Sequence, residues 1–146
     1  MTTVVPPGEG RRLVARGSQM LFKAVGATTG GRFSLMDRTL LAHGRPPAPH
    51  RHPAALEMFL ILEGTLTFLL DGERTVVHAD GCVILPEGTS HTFVNESDAP
   101  ARTLIVHAPA LDGYFDELAA LWARDEPPSA DQEAAIMRRH GLEPVD

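Results

Sequence analysis

Short apolar blocks with strand-like spacing fill most of this chain, and helical spacing sets in only near its end. Leu56 to Leu62 and Thr65 to Leu70 are rich in branched and aromatic residues and are separated by Gly64, so they read as successive strands. Asp71-Gly72 is a hairpin turn signal, and Glu73 to His78 is the returning strand. Earlier, Arg12 to Arg16 and Gln19 to Val25 flank Gly17-Ser18 as two short strands around a turn, and Gly26 to Gly31 is a loop. Arg32 to Ala42 is apolar on both parities, with Phe33, Leu35 and Leu41 on one and Met36 and Leu40 on the other, the pattern of a strand covered on both faces. Cys82 to Leu85 and His91 to Val94 are joined by a turn at Pro86-Glu87-Gly88, Ala101 to His107 is the last strand, and Pro109 ends the β region.

Beyond Pro109, residues Tyr114, Phe115, Leu118, Leu121 and Trp122 recur at helical spacing and form one apolar stripe, suited to cover the outside of a β-structure or close its mouth. A second helix is predicted from Ser129, which forms a capping-box pattern with Gln132, to His140-Gly141, with Arg138 and Arg139 in its last turn. The expected organisation is a loose leader over residues 1–10, a β-domain over 11–108 and a helical extension over 109–146 packed on it. Period two also sets the sides of the central strand. If Glu57 points inwards, Phe59 and Ile61 do too, and the apolar Met58, Leu60 and Leu62 face outwards and need a cover.

Composition narrows the class. A chain of 146 residues, 43% hydrophobic and 22% charged, is one globular domain with a core of its own. A net charge of −6 without a basic stripe argues against nucleic acid. Cys82 is the only cysteine, which excludes an internal disulfide and points to a reducing compartment. No segment has the length of a signal peptide core or a membrane span, so the expectation is a cytoplasmic protein with no membrane partner.

The candidate chemistry lies in the proline-flanked run before the central strand. His50 and His52 are two apart, so an extended backbone presents both imidazoles to one point. Pro46, Pro47, Pro49 and Pro53 stiffen that segment, and Glu57 follows a short turn. Imidazole and carboxylate together are ligands for zinc, iron, manganese, nickel, cobalt or copper, and His91 is a fourth candidate. The remaining histidines, His43, His78, His107 and His140, fall outside this pattern.

The run from Gly44 to Gly64 resembles the first motif of the cupin superfamily, G(x)5HxH(x)3–4E(x)6G, with Gly44, His50, His52, Glu57 and Gly64 in place. The run from Asp80 to Asn95 resembles the second, G(x)5PxG(x)2H(x)3N, through Pro86, Gly88, His91 and Asn95; it departs from it in reading Asp80-Gly81 where cupins usually read Gly-Asp. The resemblance implies an all-β fold, a single double-stranded β-helix or jelly-roll barrel with one or two C-terminal helices. It also implies one divalent transition metal per chain held by His50, His52, Glu57 and His91, and a homodimer formed through the outward apolar face.

Over nearly the whole chain beyond the leader, the sequence looks most like bacterial single-domain cupins of the quercetin 2,3-dioxygenase type. In that family a flavonol binds the metal through its deprotonated 3-hydroxyl, a glutamate takes the proton, and dioxygen opens the heterocycle with loss of carbon monoxide. Carried onto this chain, the base is Glu57. Phe59, Ile61, Phe93, Phe33 and Leu35 are the expected pocket walls, an apolar lining that favours a flat aromatic or polyketide-like small molecule. Two other readings stand beside it, because a shared fold serves many functions. One is a non-oxidative cyclase, isomerase or lyase that uses the metal as a Lewis acid; the other is a binding barrel without catalysis.

Overall fold

The computed structural model describes residues 2–145. In chain order the elements are β1 (Arg11–Ala15), β2 (Ser18–Ala24), the single turn α1 (Gly26–Thr29), β3 (Ser34–Leu40), β4 (His50–Arg51), β5 (Leu56–Glu63) and β6 (Thr65–Leu70). They continue with β7 (Glu73–His78), β8 (Cys82–Leu85), β9 (His91–Val94), β10 (Ala101–Ala108), α2 (Asp112–Trp122), α3 (Ala130–Arg139) and β11 (Glu143–Pro144). Two antiparallel sheets enclose the core, one in the order β1-β2-β3-β10-β5-β8 and the other in the order β11-β4-β9-β6-β7. The fold is the mostly-β barrel with short C-terminal helices that the sequence pattern predicts. Met1 and Asp146, the ends of the expected leader and extension, lie outside the described residues.

Turn chemistry sets the hairpins. Asp71 and Gly72 both take positive φ, 47° and 84°, the demand of a two-residue hairpin turn whose twist matches its strands. The first hairpin turns at Arg16-Gly17, with φ of 51° and 69°, one residue earlier than the sequence reading, so that Ser18 already pairs with Ala15. Asp80-Gly81 works in this order because Asp80 itself adopts the left-handed region at φ 71°, which a short polar side chain tolerates. Glycine is needed next, since a Cβ on Gly81 would meet Val77 Cγ1 at 2.5 Å and the His78 carbonyl oxygen at 2.8 Å.

Parity places β5 as expected: Glu57, Phe59 and Ile61 are buried, while Met58, Leu60 and Leu62 line the outer face and are only half-buried. Phe59 packs edge-on against Phe68 and Phe93, at 4.9 and 5.0 Å between ring centroids, and these rings fill the middle of the barrel. β3 differs from its apolar pattern. Its inward face carries Ser34, Met36, Arg38 and Leu40, so two polar side chains enter the barrel. Leu35 takes the outer face, and Phe33 precedes the strand and is 40% exposed.

The extension forms a roof over one end. Tyr114, Phe115, Leu118 and Leu121 of α2 are buried, and Phe115 lies 5.8 Å from Phe22 of β2. α3 begins with the predicted box: Ser129 Oγ accepts from the Gln132 N–H at 3.2 Å, and Gln132 Oε1 accepts from the Ser129 N–H at 2.8 Å. A buried polar clamp ties roof to barrel. Arg16 donates to Glu133 Oε2 through Nε and Nη2 at 3.2 and 2.9 Å, and Trp122 Nε1 donates to Glu133 Oε1 at 2.8 Å. After α3 the chain re-enters the sheet, where Pro144 of β11 pairs opposite His50. Among the described residues no helix is long and apolar enough to cross a membrane.

Removing one member of a buried ion pair leaves the other charge uncompensated, a loss of roughly 3–5 kcal/mol, whereas replacing both by apolar groups is far less costly. Glu133→Gln is therefore expected to lower unfolding free energy by roughly 3 kcal/mol, with Arg16→Met/Glu133→Met recovering most of it in urea titrations. Equal losses in the two proteins would show that the clamp is not what holds the roof.

Candidate metal centre

Two cross-strand pairs, one in each sheet, meet at the roofed end of the barrel. In the five-stranded sheet His50 of β4 lies opposite His91 of β9, and in the six-stranded sheet Glu57 of β5 lies opposite His107 of β10. His52, just beyond β4, bridges them: its Nε2 is 3.1 Å from His50 Nε2 and 3.0 Å from Glu57 Oε2. Glu57 Oε2 is the hub, with His107 Nε2 at 2.9 Å and His91 Nε2 at 3.6 Å. All five side chains are buried.

The imidazoles are oriented from behind. His50 Nδ1 donates to the Ala48 carbonyl at 2.8 Å and His91 Nδ1 to the Thr89 carbonyl at 2.9 Å, so each ring directs its Nε2 lone pair into the cluster. His91 Nε2 is buried without a hydrogen-bond partner and confronts a carboxylate oxygen, an arrangement that calls for a proton or a cation between them. Separations of 3.0, 3.1 and 3.6 Å among these atoms also match donors that share one ion. Bonds of about 2.1 Å put neighbouring ligand atoms roughly 3.0 Å apart at right angles and about 3.4 Å apart at tetrahedral angles. The residues present thus fit a divalent transition metal, and the described residues hold two overlapping groups able to take one: His50, His52 and His91, and His52, Glu57 and His107.

Burial, reinforced by His91 and His52, lowers the His50 pKa to about 3, so this ring stays neutral and ready to coordinate. Burial likewise lowers His52, against the opposing pull of Glu57. His91 is also pushed down by burial, but its interaction with the nearby Glu57 carboxylate more than offsets this and raises it. Burial would raise Glu57; His107, by charge and hydrogen bond, and the neighbouring His52 and His91 outweigh it and hold the carboxyl well below the usual range.

Of the residues singled out in the sequence, His50, His52, Glu57 and His91 come together here, and Phe93 lines the cavity beside them. Phe59 and Ile61 are fully buried in the core beneath it, and Phe33 and Leu35 do not line it. The sequence set His107 outside the metal pattern, gave Tyr114 only to the covering stripe and did not bring Arg16 or Arg38 to the site; these four replace part of the expected apolar wall with charge and hydrogen-bonding groups. Period two along Ala101 to His107 offered one signal, because His107 shares parity with the buried Thr103 and Ile105. The cavity measures about 20 Å³, and a cleft of about 130 Å³, lined by Ala54, Ala55, Pro109 and His140 among others, opens onto His52.

A two-sheet β-barrel with a buried histidine–carboxylate cluster at one end defines the class: this is the cupin fold. Residues 38–107 match the family model described as Cupin domain. "Polyketide synthase CurC" from Streptomyces cyaneus is 33% identical over 85 residues, 58% of this chain and 53% of that one. "Quercetin 2,3-dioxygenase" from Bacillus subtilis is 31% identical over 99 residues, 66% of this chain and 28% of that one. The chain thus spans about half the length of the first of these relatives and less of the second. Among solved structures, the polyketide cyclase RemF from Streptomyces resistomycificus superposes with a TM-score of 0.65 at 21% identity, covering 74% of this chain and 80% of that one.

The His50 shift has a measurable consequence in metal-free protein. Its folded pKa lies below its unfolded value, so between about pH 6.5 and pH 3 the unfolded chain binds the proton that the folded ring refuses, and stability falls as pH falls. His50→Asn is expected to shrink the loss of unfolding free energy between about pH 6.5 and pH 5 by about 2 kcal/mol. Denaturant titrations of chelator-treated protein at both pH values check this; identical slopes for the two proteins would contradict it.

Proposed function

We propose that this chain is a metal-dependent enzyme that moves a proton at an enolic or phenolic oxygen of a polyketide-like small molecule, in the manner of a non-oxidative cyclase or isomerase. His50, His52, His91 and Glu57 hold one divalent ion, drawn from iron, manganese, nickel, cobalt, copper and zinc. Such an ion, when bound, supplies Lewis acidity that makes a substrate hydroxyl more acidic. The observation that carries the reading is the asymmetry of Glu57. Its Oε2 is held by His107 Nε2 at 2.9 Å, whereas Oε1 accepts no hydrogen bond among the described residues, and Glu57 lines the cavity. A buried carboxylate with one oxygen anchored and the other free is a positioned proton acceptor. His107, outside the ligand set, keeps the carboxylate from rotating away.

The likeness to polyketide synthase CurC supports a polyketide-like substrate. A substrate places its reactive oxygen in the cavity at the cluster while its rings lie in the cleft over His52. The likeness to a quercetin 2,3-dioxygenase supports a second reading, in which Glu57 takes a flavonol hydroxyl proton and dioxygen cleaves the ring.

Elemental mass spectrometry of purified protein is expected to find about one equivalent of a transition metal, lost in His50→Ala. Loaded protein is then assayed with flavonols and with phenolic polyketides, in air and without oxygen. Turnover that persists without oxygen and falls by about 10²–10⁴-fold in Glu57→Gln is the expected result. Turnover that stops without oxygen makes the protein a dioxygenase, and a Glu57→Gln variant that retains its metal and full rate removes the base.

A further inference from the structure

The metal centre leaves unexplained a buried cation in the same cavity. Arg38, on the inner face of β3, is 3% exposed, and a charge so buried ordinarily sits against a carboxylate. Arg16 does so, against Glu133. Arg38 does not: among the described residues it forms no ion pair, and its one hydrogen bond runs from Nε to Ser18 Oγ at 3.0 Å. Ser18 in turn donates to the Ala15 carbonyl at 2.9 Å, so it meets Arg38 as a neutral acceptor. The guanidinium carbon lies 5.2 Å from the centre of the Phe93 ring, whose π-face offers further partial compensation.

The two Nη groups, with four N–H donors, make no hydrogen bond to the described residues, and Arg38 lines the cavity together with His50, His52 and Glu57. Burial and the neighbouring Arg16 push its pKa down to about 10, so it remains charged at neutral pH. Glu57 attracts it only through space. No ion pair joins the two, and Oε2 of that carboxylate is already engaged by imidazoles. With a divalent ion at the centre, Glu57 leaves a surplus of one positive charge; Arg38 adds a second, and the Arg16–Glu133 pair cancels itself. The cavity is thus short of anionic charge, and the planar fork of a guanidinium matches two coplanar oxygens.

We propose that Arg38 is the receptor for a substrate carboxylate in the cavity beside the histidine cluster, which narrows the substrate class from neutral flavonols to small aromatic or polyketide-like acids. The substrate class rests on the metal-enzyme reading given above, but the anion site does not require the metal.

The test therefore begins with metal-free protein. ¹⁵N-labelled protein is titrated with sodium formate at constant ionic strength, and with formamide as the uncharged counterpart of the same shape, while the arginine Nε–H signals are followed by NMR. One signal is expected to move and saturate with formate and not with formamide, and it is the signal missing from Arg38→Gln. Formate affinity is expected to fall tenfold or more in that variant. Arg38→Lys keeps the buried charge without the fork, so it supplies the same assignment if the glutamine variant does not fold. A formate response of equal affinity in the variant, an equal response to formamide, or no arginine signal that moves would each overturn the proposal. Absence of metal in the elemental analysis would sink the enzyme reading and leave this titration unchanged.

Discussion

A carboxylate sealed from water stays ionised only if its surroundings replace the lost hydration, and Glu57 makes that demand at the centre of this barrel. The fold answers by bringing the inner faces of two sheets together at the roofed end. One contributes the Glu57–His107 pair, the other the His50–His91 pair, and His52 closes the gap. Each strand that reaches this point is fixed in register by a side chain the cluster needs. A one-residue slip of β10 or β5 would turn His107 or Glu57 outwards and leave the other buried alone.

The roof follows from the same constraint. Water at the cluster would weaken every interaction in it, and α2 excludes water with Tyr114 and Phe115 while Leu142 closes the remaining side. The cost is a second buried charge, because Arg16 must reach inwards from a left-handed turn to hold Glu133. β11 then returns to pair with β4, so the strand that presents His50 is not left as a bare edge. The extension is thus part of the site's architecture as well as its cover.

The chemistry proposed for the cavity is a matter of unbalanced groups. Lone pairs converge on one point, one carboxylate oxygen is free, and one guanidinium lacks an anion. On the proposed reading a divalent ion would satisfy the first, an exchangeable substrate proton the second and a substrate carboxylate the third. Each of these belongs to a different part of one small ligand complex. The cupin fold accommodates such demands without disturbing its core, because Phe59, Phe68 and Phe93 pack beneath the cavity.

Local periodicity made much of this molecule legible in advance. The strands of the barrel, the hairpin at Asp71-Gly72, the box at Ser129 and the inward parity of Glu57, Phe59 and Ile61 all follow from patterns within a few residues. His50 and His52 share a point because an extended backbone repeats every two residues, and His91 and Glu57 stand at spacings that resemble one family. Tertiary structure alone decided the rest. His107 joins Glu57 over a sequence separation of 50 through antiparallel register, and Glu133 reaches Arg16 over one of 117. Arg38 turns into the cavity on a strand whose apolar pattern pointed elsewhere, and Leu35 goes outwards. Register between strands distant in sequence depends on how whole faces pack, so no short window of residues encodes it.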